Sequence, residues 1–112
     1  MRGEQFLTKP EQFMAVFNQG ASLAEKPVVL RYLRNRLPVT RFGFSVSSRV
    51  GGAVVRNRVK RRLREILRNT PMESGWDIVF VARTAAVKAD FGTLNESVRR
   101  LLTKASILKA GL

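Results

Sequence analysis

The segment 51–69, GGAVVRNRVKRRLREILRN, limits the folds open to this chain because it must be both buried and highly charged. It carries seven basic residues and a single acid. On a helix, with about 100° between successive residues, its aliphatic side chains fall within an arc of about 120°. The basic side chains cover the rest of the circumference. We therefore predict a helix that packs on a core by one narrow apolar stripe: Val55, Val59, Leu63, Ile66 and Leu67.

The segment RFGFSVSSR, 41–49, alternates in the manner of a strand that is buried on one side. Its large side chains share the face predicted to lie on a core: Phe42, Phe44 and Val46. The opposite face carries only small side chains: Gly43, Ser45 and Ser47. Small side chains would leave this surface open to a ligand.

The remaining segments give the order of elements. The residues Thr8-Lys9-Pro10-Glu11 resemble a capping box at the start of a short helix that ends at Gly20. A strand is predicted for VVLRYLR, 28–34, and a doubly covered strand for WDIVFVAR, 76–83. A last helix, with a stop near Gly111, is predicted from a second apolar stripe: Leu94, Val98, Leu101, Leu102, Ala105 and Leu108.

The order α-β-β-α-β-α, with room for one additional strand before the basic helix, predicts an α/β two-layer sandwich with a small mixed sheet. A chain of 112 residues supports one hydrophobic core and little more. We therefore expect residues 1–112 to form a single domain. No run approaches the roughly 18 apolar residues of a membrane span, and no signal peptide is apparent. These features predict a cytoplasmic protein that does not act at a membrane.

The charge balance narrows the possible partners. Lys and Arg total 21 against 8 Asp and Glu, a formal net charge of +13, which favours binding to polyanions. The chain has no His and no Cys, and thus lacks the commonest general base, metal ligand and thiolate nucleophile. Its carboxylates are scattered singly along the sequence. We therefore expect no catalytic residues, no metal site and no small-molecule substrate for the protein alone.

The basic helix could simply be a solvated surface helix, but its charge pattern favours nucleic acid. Solvated helices alternate Glu and Lys at i,i+4, whereas Arg58–Arg62 and Lys60–Arg64 place like charges at that spacing. Such repulsion costs stability unless a polyanion relieves it. Arginine also predominates, and its planar fork suits bidentate contacts with phosphate. The pattern predicts a surface for RNA or DNA without implying sequence-specific readout.

The segment AVVRNRVKRRLRE, 53–65, resembles the signature helix of the bacterial ribonuclease P protein component. The strand and crossover RFGFSVSSRVGGAVV, the helix EQFMAVFNQG and the strand WDIVFVAR resemble the same family, in the same order. The resemblance implies an α/β sandwich with a left-handed βαβ crossover. It also implies a subunit that assists a Mg²⁺-dependent catalytic RNA in removing the 5′ leader of precursor tRNA. The chemistry would belong to the RNA, which would also hold most of the Mg²⁺.

The resemblance also implies where the two RNAs bind. The single-stranded leader would lie between the N-terminal helix and the sheet, beside Phe13 and Phe17, although two Phe at i,i+4 are equally typical of a core. Arg31 stands where the family often has an aromatic, so it would stack on a base or bind phosphate. Ser45 and Ser47 would leave room for the strand. The predicted contacts with the catalytic RNA are Arg49, Arg56, Asn57, Arg58, Lys60, Arg61, Arg62, Arg64 and Arg68.

Four other functions compete with this one when the residues alone are considered, and the residues argue against three of them. A ribosomal protein would share the charge and the size but would not prefer precursor tRNA over mature tRNA. A leucine-zipper DNA-binding protein would need heptads after the basic region, and none follow. An autonomous protein ribonuclease is disfavoured by the residue inventory. A membrane-surface helix is disfavoured because the core needs the apolar stripe.

Overall fold

A computed structural model of the chain describes residues 6–109. Four strands form one sheet in the order β1-β2-β4-β3. The pairs β1/β2 and β2/β4 are antiparallel and the pair β3/β4 is parallel, so the sheet is mixed. The elements in chain order are α1 (Pro10–Gln19), β1 (Ala21–Ala24), β2 (Val28–Arg34), β3 (Arg41–Ser45), α2 (Ala53–Arg68), β4 (Trp76–Ala82), α3 (Ala85–Lys88) and α4 (Phe91–Lys104).

The predicted α/β class and mixed sheet are confirmed. The additional strand is β1, whose four residues ASLA are too few to show a periodicity. The short helix α3 was also missed in the sequence, and four residues are again too few for a helical stripe. The segment β3-α2-β4 is a crossover between adjacent parallel strands, and its left-handed sense stays a prediction.

The sheet is covered on both faces, because alternate residues of β4 serve different cores. Ile78, Phe80 and Ala82 pack with α2 and α4 in the main core, which is the predicted two-layer sandwich. Val79 and Val81 point to the opposite face, where they meet α1. The first helix thus covers part of the second face. The doubly covered strand predicted at 76–83 is confirmed.

The ends of two helices differ from the prediction. In α1 the N-cap is Lys9, not Thr8, because the side chain of Gln12 accepts hydrogen bonds from the backbone N–H groups of Thr8 and Lys9, at 2.8 and 3.0 Å. The last helix ends at Lys104, so the predicted helical position of Leu108 is wrong. The predicted stop at Gly111 lies outside the described residues.

The early end of α4 has a local cause. Ser106 adopts a left-handed conformation with φ of 62°. This turn lets the N–H of Ile107 reach the carbonyl of Leu102 at 2.8 Å and the N–H of Ser106 reach that of Thr103 at 3.0 Å. These are the two hydrogen bonds of a Schellman motif, for which glycine is the usual signal in a sequence. Ser106 gives no such signal, and Ile107 becomes a buried core residue.

One buried ion pair fixes the edge strand β3 and the turn before it. Arg41 of β3 makes a bidentate contact with Asp77 of β4, with Nε–Oδ1 at 2.8 Å and Nη2–Oδ2 at 2.7 Å. The side-chain amide of Asn35 donates a third hydrogen bond to the same carboxylate, at 2.8 Å. The Asp77 side chain is only 7% exposed, so these donors must compensate the loss of water around the carboxylate.

Arg41→Met is expected to lower the free energy of unfolding by about 2–3 kcal/mol, because it leaves the Asp77 carboxylate buried with one remaining side-chain donor. The cost falls below that of a fully buried pair because Arg41 is partly exposed. Urea denaturation measures the change. Arg83→Met, at an exposed arginine just after β4, is the matched control and should change stability by less than about 0.5 kcal/mol. Equal effects in the two variants would contradict the structural role of the pair.

Candidate RNA-binding surface

The apolar stripe of α2 packs on the main core as predicted. Val59, Leu63, Ile66 and Leu67 are buried, and Val55 is half-buried at the start of the helix. This docking leaves one side of the helix turned outward. We call that side the basic face, and it consists of Arg56, Asn57, Arg58, Lys60, Arg61, Arg62, Arg64 and Arg68.

The members of the basic face are not equivalent. Arg62 turns inward, and its Nη1 donates to the carbonyl of Ala89 at 3.1 Å. Arg64 lies over the ring of Phe6, 5.5 Å from its centroid. Arg68 forms an exposed ion pair with Glu65 at 3.2 Å. Three other members are exposed and have no such contact within residues 6–109: Asn57, Arg58 and Arg61.

The first turn of α2 adds a second attraction for anions. Its N-cap is Gly52, which makes no side-chain capping bond, and the first turn contains no acid. The free backbone N–H groups and the helix dipole both favour a negative charge at this end. The N–H of Arg56 is the first in the helix with a backbone partner, the carbonyl of Gly52 at 2.9 Å. Phosphate would therefore meet backbone donors beside the arginines.

A second group of predicted residues lies where α1 meets the sheet, on the face away from α2. We call this group the α1–sheet junction: Phe13, Phe17, Arg31, Gly43 and Ser45. Cross-strand register aligns Arg31 of β2 with Val79 of β4 and Val79 with Gly43 of β3. Ser45 lies two residues further along β3 and pairs with Val81. The flat sheet surface thus places these residues under one helix.

Phe13 and Phe17 have different environments. The ring of Phe13 lies directly over Gly43, so close that a Cβ at that glycine would be 2.6 Å from its Cε1 and Cζ. The space opened by Gly43 is therefore filled by this ring, and the expected open surface is limited to the serines. Phe17 is 37% exposed on the next turn of α1. One phenylalanine is partly core and the other is available to a ligand.

Arg31 contacts both the ring and the backbone carbonyl of Phe17. Its guanidinium carbon lies 5.2 Å from the centroid of the Phe17 ring, and its Nη2 donates to the Phe17 carbonyl at 2.6 Å. A cation at the last turn of α1 also stabilises the helix dipole. The Arg31 guanidinium is thus fixed beside the exposed ring of Phe17.

The loop between β3 and α2 joins the two surfaces. Ser47 and Arg49 are exposed in this loop, and the backbone N–H of Arg49 donates to the Ser47 hydroxyl at 3.3 Å. Ser47 lies beyond the end of β3, so it does not share the strand surface with Ser45.

The sequence pattern did not single out Val29 and Val81, which pair with each other beside Ser45. On β2, Val29 and Arg31 both have odd numbers and so share one face of the strand, and Val79 and Val81 do the same on β4. This alternation was the signal available in the sequence.

Two buried side-chain nitrogens between residues 6 and 109 lack a hydrogen-bond partner within the protein: Nε of Arg31 and Nε of Arg56. One belongs to the α1–sheet junction and the other to the basic face. An unsatisfied buried donor costs about 1–3 kcal/mol, and more when it is charged. Both nitrogens are covered by surrounding protein atoms, so a ligand does not reach them in this conformation.

Among the described residues, no three His, Cys, Asp or Glu side chains converge in a way that could hold a metal ion. The same part of the chain contains no helix that is long and apolar enough to cross a membrane.

Comparison with known proteins identifies one family. The family model described as Ribonuclease P matches residues 1–106. The Ribonuclease P protein component of Caldanaerobacter subterraneus subsp. tengcongensis is 46% identical over 100 residues, covering 88% of this chain and 86% of that protein. The Staphylococcus aureus RNase P protein structure has a TM-score of 0.85 at 26% identity, covering 96% of this chain and all of that one. The Thermotoga maritima RNase P protein has a TM-score of 0.80 at 30% identity, with 90% and 97% covered.

Removing one cation from the crowded basic face should stabilise the protein in the absence of a polyanion. Arg58→Gln relieves repulsion with Arg62 at i,i+4, worth about 0.2–0.5 kcal/mol, and keeps a similar helix propensity. We expect a higher Tm than wild type at low ionic strength. Millimolar sulfate, compared with NaCl of equal ionic strength, should raise the Tm of the wild type more than that of the variant.

Lys109→Gln removes the same charge from an exposed position outside α2 and serves as the control. Its response to sulfate should match that of the wild type. If sulfate stabilises all three proteins equally, anion binding by the basic face is excluded as the cause.

Proposed function

The chain belongs to the bacterial ribonuclease P protein family, a subunit of an endoribonuclease, and we propose that it binds two RNAs through two different surfaces. The basic face of α2 binds the catalytic RNA. The α1–sheet junction binds the single-stranded 5′ leader of precursor tRNA. The protein thereby assists hydrolysis of the phosphodiester bond that gives the mature 5′ end.

The observation that carries this proposal is the side of α2 that core packing leaves outward, where Arg58 and Arg61 are exposed and the first turn contains no acid. Like charges at helical spacing repel each other in the free protein. Phosphate oxygens are strong acceptors for arginine. Binding of RNA on this face would relieve the repulsion, which a solvated surface helix with alternating acids would not require.

On α2, Arg58 and Arg61 are exposed and meet phosphates, while Asn57 offers both a donor and an acceptor. Arg56 binds at the first turn, where backbone N–H groups are also free. Arg49 extends the surface toward the junction, and Lys60 and Arg64 extend it along the helix. Each phosphate that is neutralised adds to the salt dependence of binding. Arg62 and Arg68 have partners within the protein, so their contribution is secondary.

At the junction, the leader binds in the manner typical of single-stranded nucleic acid, on an aromatic platform beside a cation. A base stacks on the exposed ring of Phe17, and Arg31 donates to a neighbouring phosphate. Phe13 supports this platform from its position on Gly43. Ser45 and Ser47 leave space for the strand as it passes toward the loop that contains Arg49.

We assign the chemistry and the Mg²⁺ to the catalytic RNA. Three carboxylates already have partners within the protein: Asp77 with Arg41, Glu25 with Arg100, and Asp90 with the N–H of Thr93. These residues do not form a magnesium site, and no step of the reaction is attributed to them. The protein contributes binding and orientation, as a single RNA-binding domain in the cytoplasm.

A three-way cleavage assay tests the proposal. A precursor tRNA with a 5′ leader is incubated at low Mg²⁺ with the protein, with a bacterial catalytic RNA, and with both. Only the mixture should cut at the mature 5′ end, and Arg58→Ala or Arg61→Ala should weaken assembly by about tenfold per lost charge-assisted contact. Cleavage by the protein alone would refute the assignment of chemistry to the RNA. Tight RNA binding with an inert mixture would favour a ribosomal or general RNA-binding role.

The role of Arg31 predicts a leader-dependent defect. Arg31→Met should weaken affinity for precursor tRNA in the assembled enzyme by about tenfold, because one charge-assisted hydrogen bond and its ion pairing are lost. Affinity for mature tRNA should not change. Arg34→Met is the matched control, since it changes the same residue type on the opposite face of β2, where Arg34 stacks on Trp76 at 4.4 Å. A similar loss with mature tRNA, or with the control, would place the leader elsewhere.

A further inference from the structure

A cavity of about 500 Å³ lies on the side of the sheet away from the α1–sheet junction. It is formed by the turn between β1 and β2, the helix α3 and the first turns of α4. Because α4 packs on the face of the sheet opposite to α1, the cavity is separate from the surface proposed for the leader. None of the nine residues predicted to bind the catalytic RNA lines it.

The rim of the cavity is cationic. Lys26, from the turn between β1 and β2, and Lys88, from α3, both line it and are both exposed. Arg100 of α4 also lines it and is held in place by Glu25 through its Nε and Nη2, at 3.2 and 3.0 Å. Glu25 is also approached by Lys104 at 3.6 Å, and these cations lower its pKa, with the Arg100 hydrogen bond as the main cause. The negative charge of Glu25 is therefore paired with Arg100 and Lys104, which weakens its repulsion of an anion.

The rest of the lining includes small apolar residues. Pro27, Ala85 and Ala89 line the cavity, as does the buried Ser97, whose hydroxyl is 3.4 Å from Nη2 of Arg100. Ligand pockets in proteins typically measure 300–1,000 Å³ and combine apolar walls with a few placed polar groups. A ligand that matches this lining combines a negative charge for the lysines with a weakly polar body for the apolar residues.

The cavity is also connected to the basic face. Arg62 crosses from α2 to donate to the carbonyl of Ala89, which lines the cavity wall. Asp90 is the other acid of the lining, and its carboxylate accepts a hydrogen bond from the Thr93 N–H at 2.8 Å. The Thr93 side chain also hydrogen-bonds to this carboxylate, and both bonds lower the pKa of Asp90, the backbone one most. An RNA strand on α2 could therefore reach the cavity without leaving the positively charged surface.

From this combination we infer that the cavity binds one nucleotide unit, with its phosphate on Lys26 and Lys88 and its base against Pro27 and Ala85. The unit is either an unpaired nucleotide of an RNA chain or a free mononucleotide. The site is an additional one, since the proposed leader and catalytic-RNA surfaces do not include these residues.

Binding is tested first on the full-length protein alone, by ¹⁵N amide chemical shifts. Adenosine 5′-monophosphate should produce saturable shifts in 25–27 and 85–97, and adenosine or inorganic phosphate should each bind about tenfold more weakly. Equal binding of inorganic phosphate on the same residues would mean an adventitious ion only and would overturn the inference. Shifts centred on α2 would overturn it as well.

Two variants give the test its specificity. Lys88→Gln should weaken adenosine 5′-monophosphate binding about tenfold, whereas the matched control Lys109→Gln should leave it unchanged. Thr93→Leu fills the cavity from an exposed helical position and should abolish binding. Unchanged spectra outside the cavity establish that both variants are folded. Normal binding by Thr93→Leu would exclude the cavity as the site.

A tethered probe distinguishes the two sources of the nucleotide. The chain has no cysteine, so Glu96→Cys provides one attachment point for an iron chelate, one turn from Thr93 on α4. In the complex with catalytic RNA and precursor tRNA, cleavage at an unpaired stretch that disappears with Thr93→Leu would identify an RNA nucleotide. Mononucleotide binding without such cleavage would identify a free nucleotide. The binding arm uses no catalytic RNA, so its failure leaves the proposed subunit function intact.

Discussion

The burial of one narrow aliphatic stripe of α2 is the interaction on which the rest of this structure depends. Val59, Leu63 and Ile66 must reach the main core, and they can do so only if the helix lies with its arginines outward. The same helix connects β3 to β4, which lie side by side as a parallel pair. A stripe of this size is worth several kcal/mol of burial, which is enough to offset the mutual repulsion of the cations. Core packing therefore determines where the charge is displayed.

The second surface depends on a different compromise, between packing α1 and leaving a binding surface. Gly43 lets Phe13 approach the sheet, and Gly20 ends α1 where a Cβ would lie 2.6 Å from the Tyr32 carbonyl oxygen. The helix is held close at these two points. Phe17 projects beyond them with Arg31 beside it, and so remains partly exposed. Packing of α1 therefore satisfies the second core and still leaves a partly exposed aromatic ring next to a cation.

Much of the fold could be predicted because its main elements carry strong local patterns. The stripe of α2, the doubly covered β4 and the stop of α1 at Gly20 all follow from periodicity or glycine chemistry. The parts that could not be located have no such pattern: the additional strand β1 has four residues, α3 is a single turn, and the end of α4 is set by a left-handed Ser106. The predicted start of α1 was wrong by one position, because the N-cap is Lys9 and the side chain of Gln12, not Glu11, accepts the hydrogen bonds of the capping box.

By itself, the sequence determined the class of partner and the helix that presents the charge, because net charge and a 3.6-residue period are properties of the chain before it folds. The extended resemblance added the family. Only the tertiary structure decided which residues act together. Packing of α1 on the sheet brings Phe17 to Arg31, and Arg62 turns inward to Ala89 while Arg58 stays exposed. The cavity near Lys88 likewise joins residues from three distant segments, and long-range packing of that kind leaves no local pattern in the sequence.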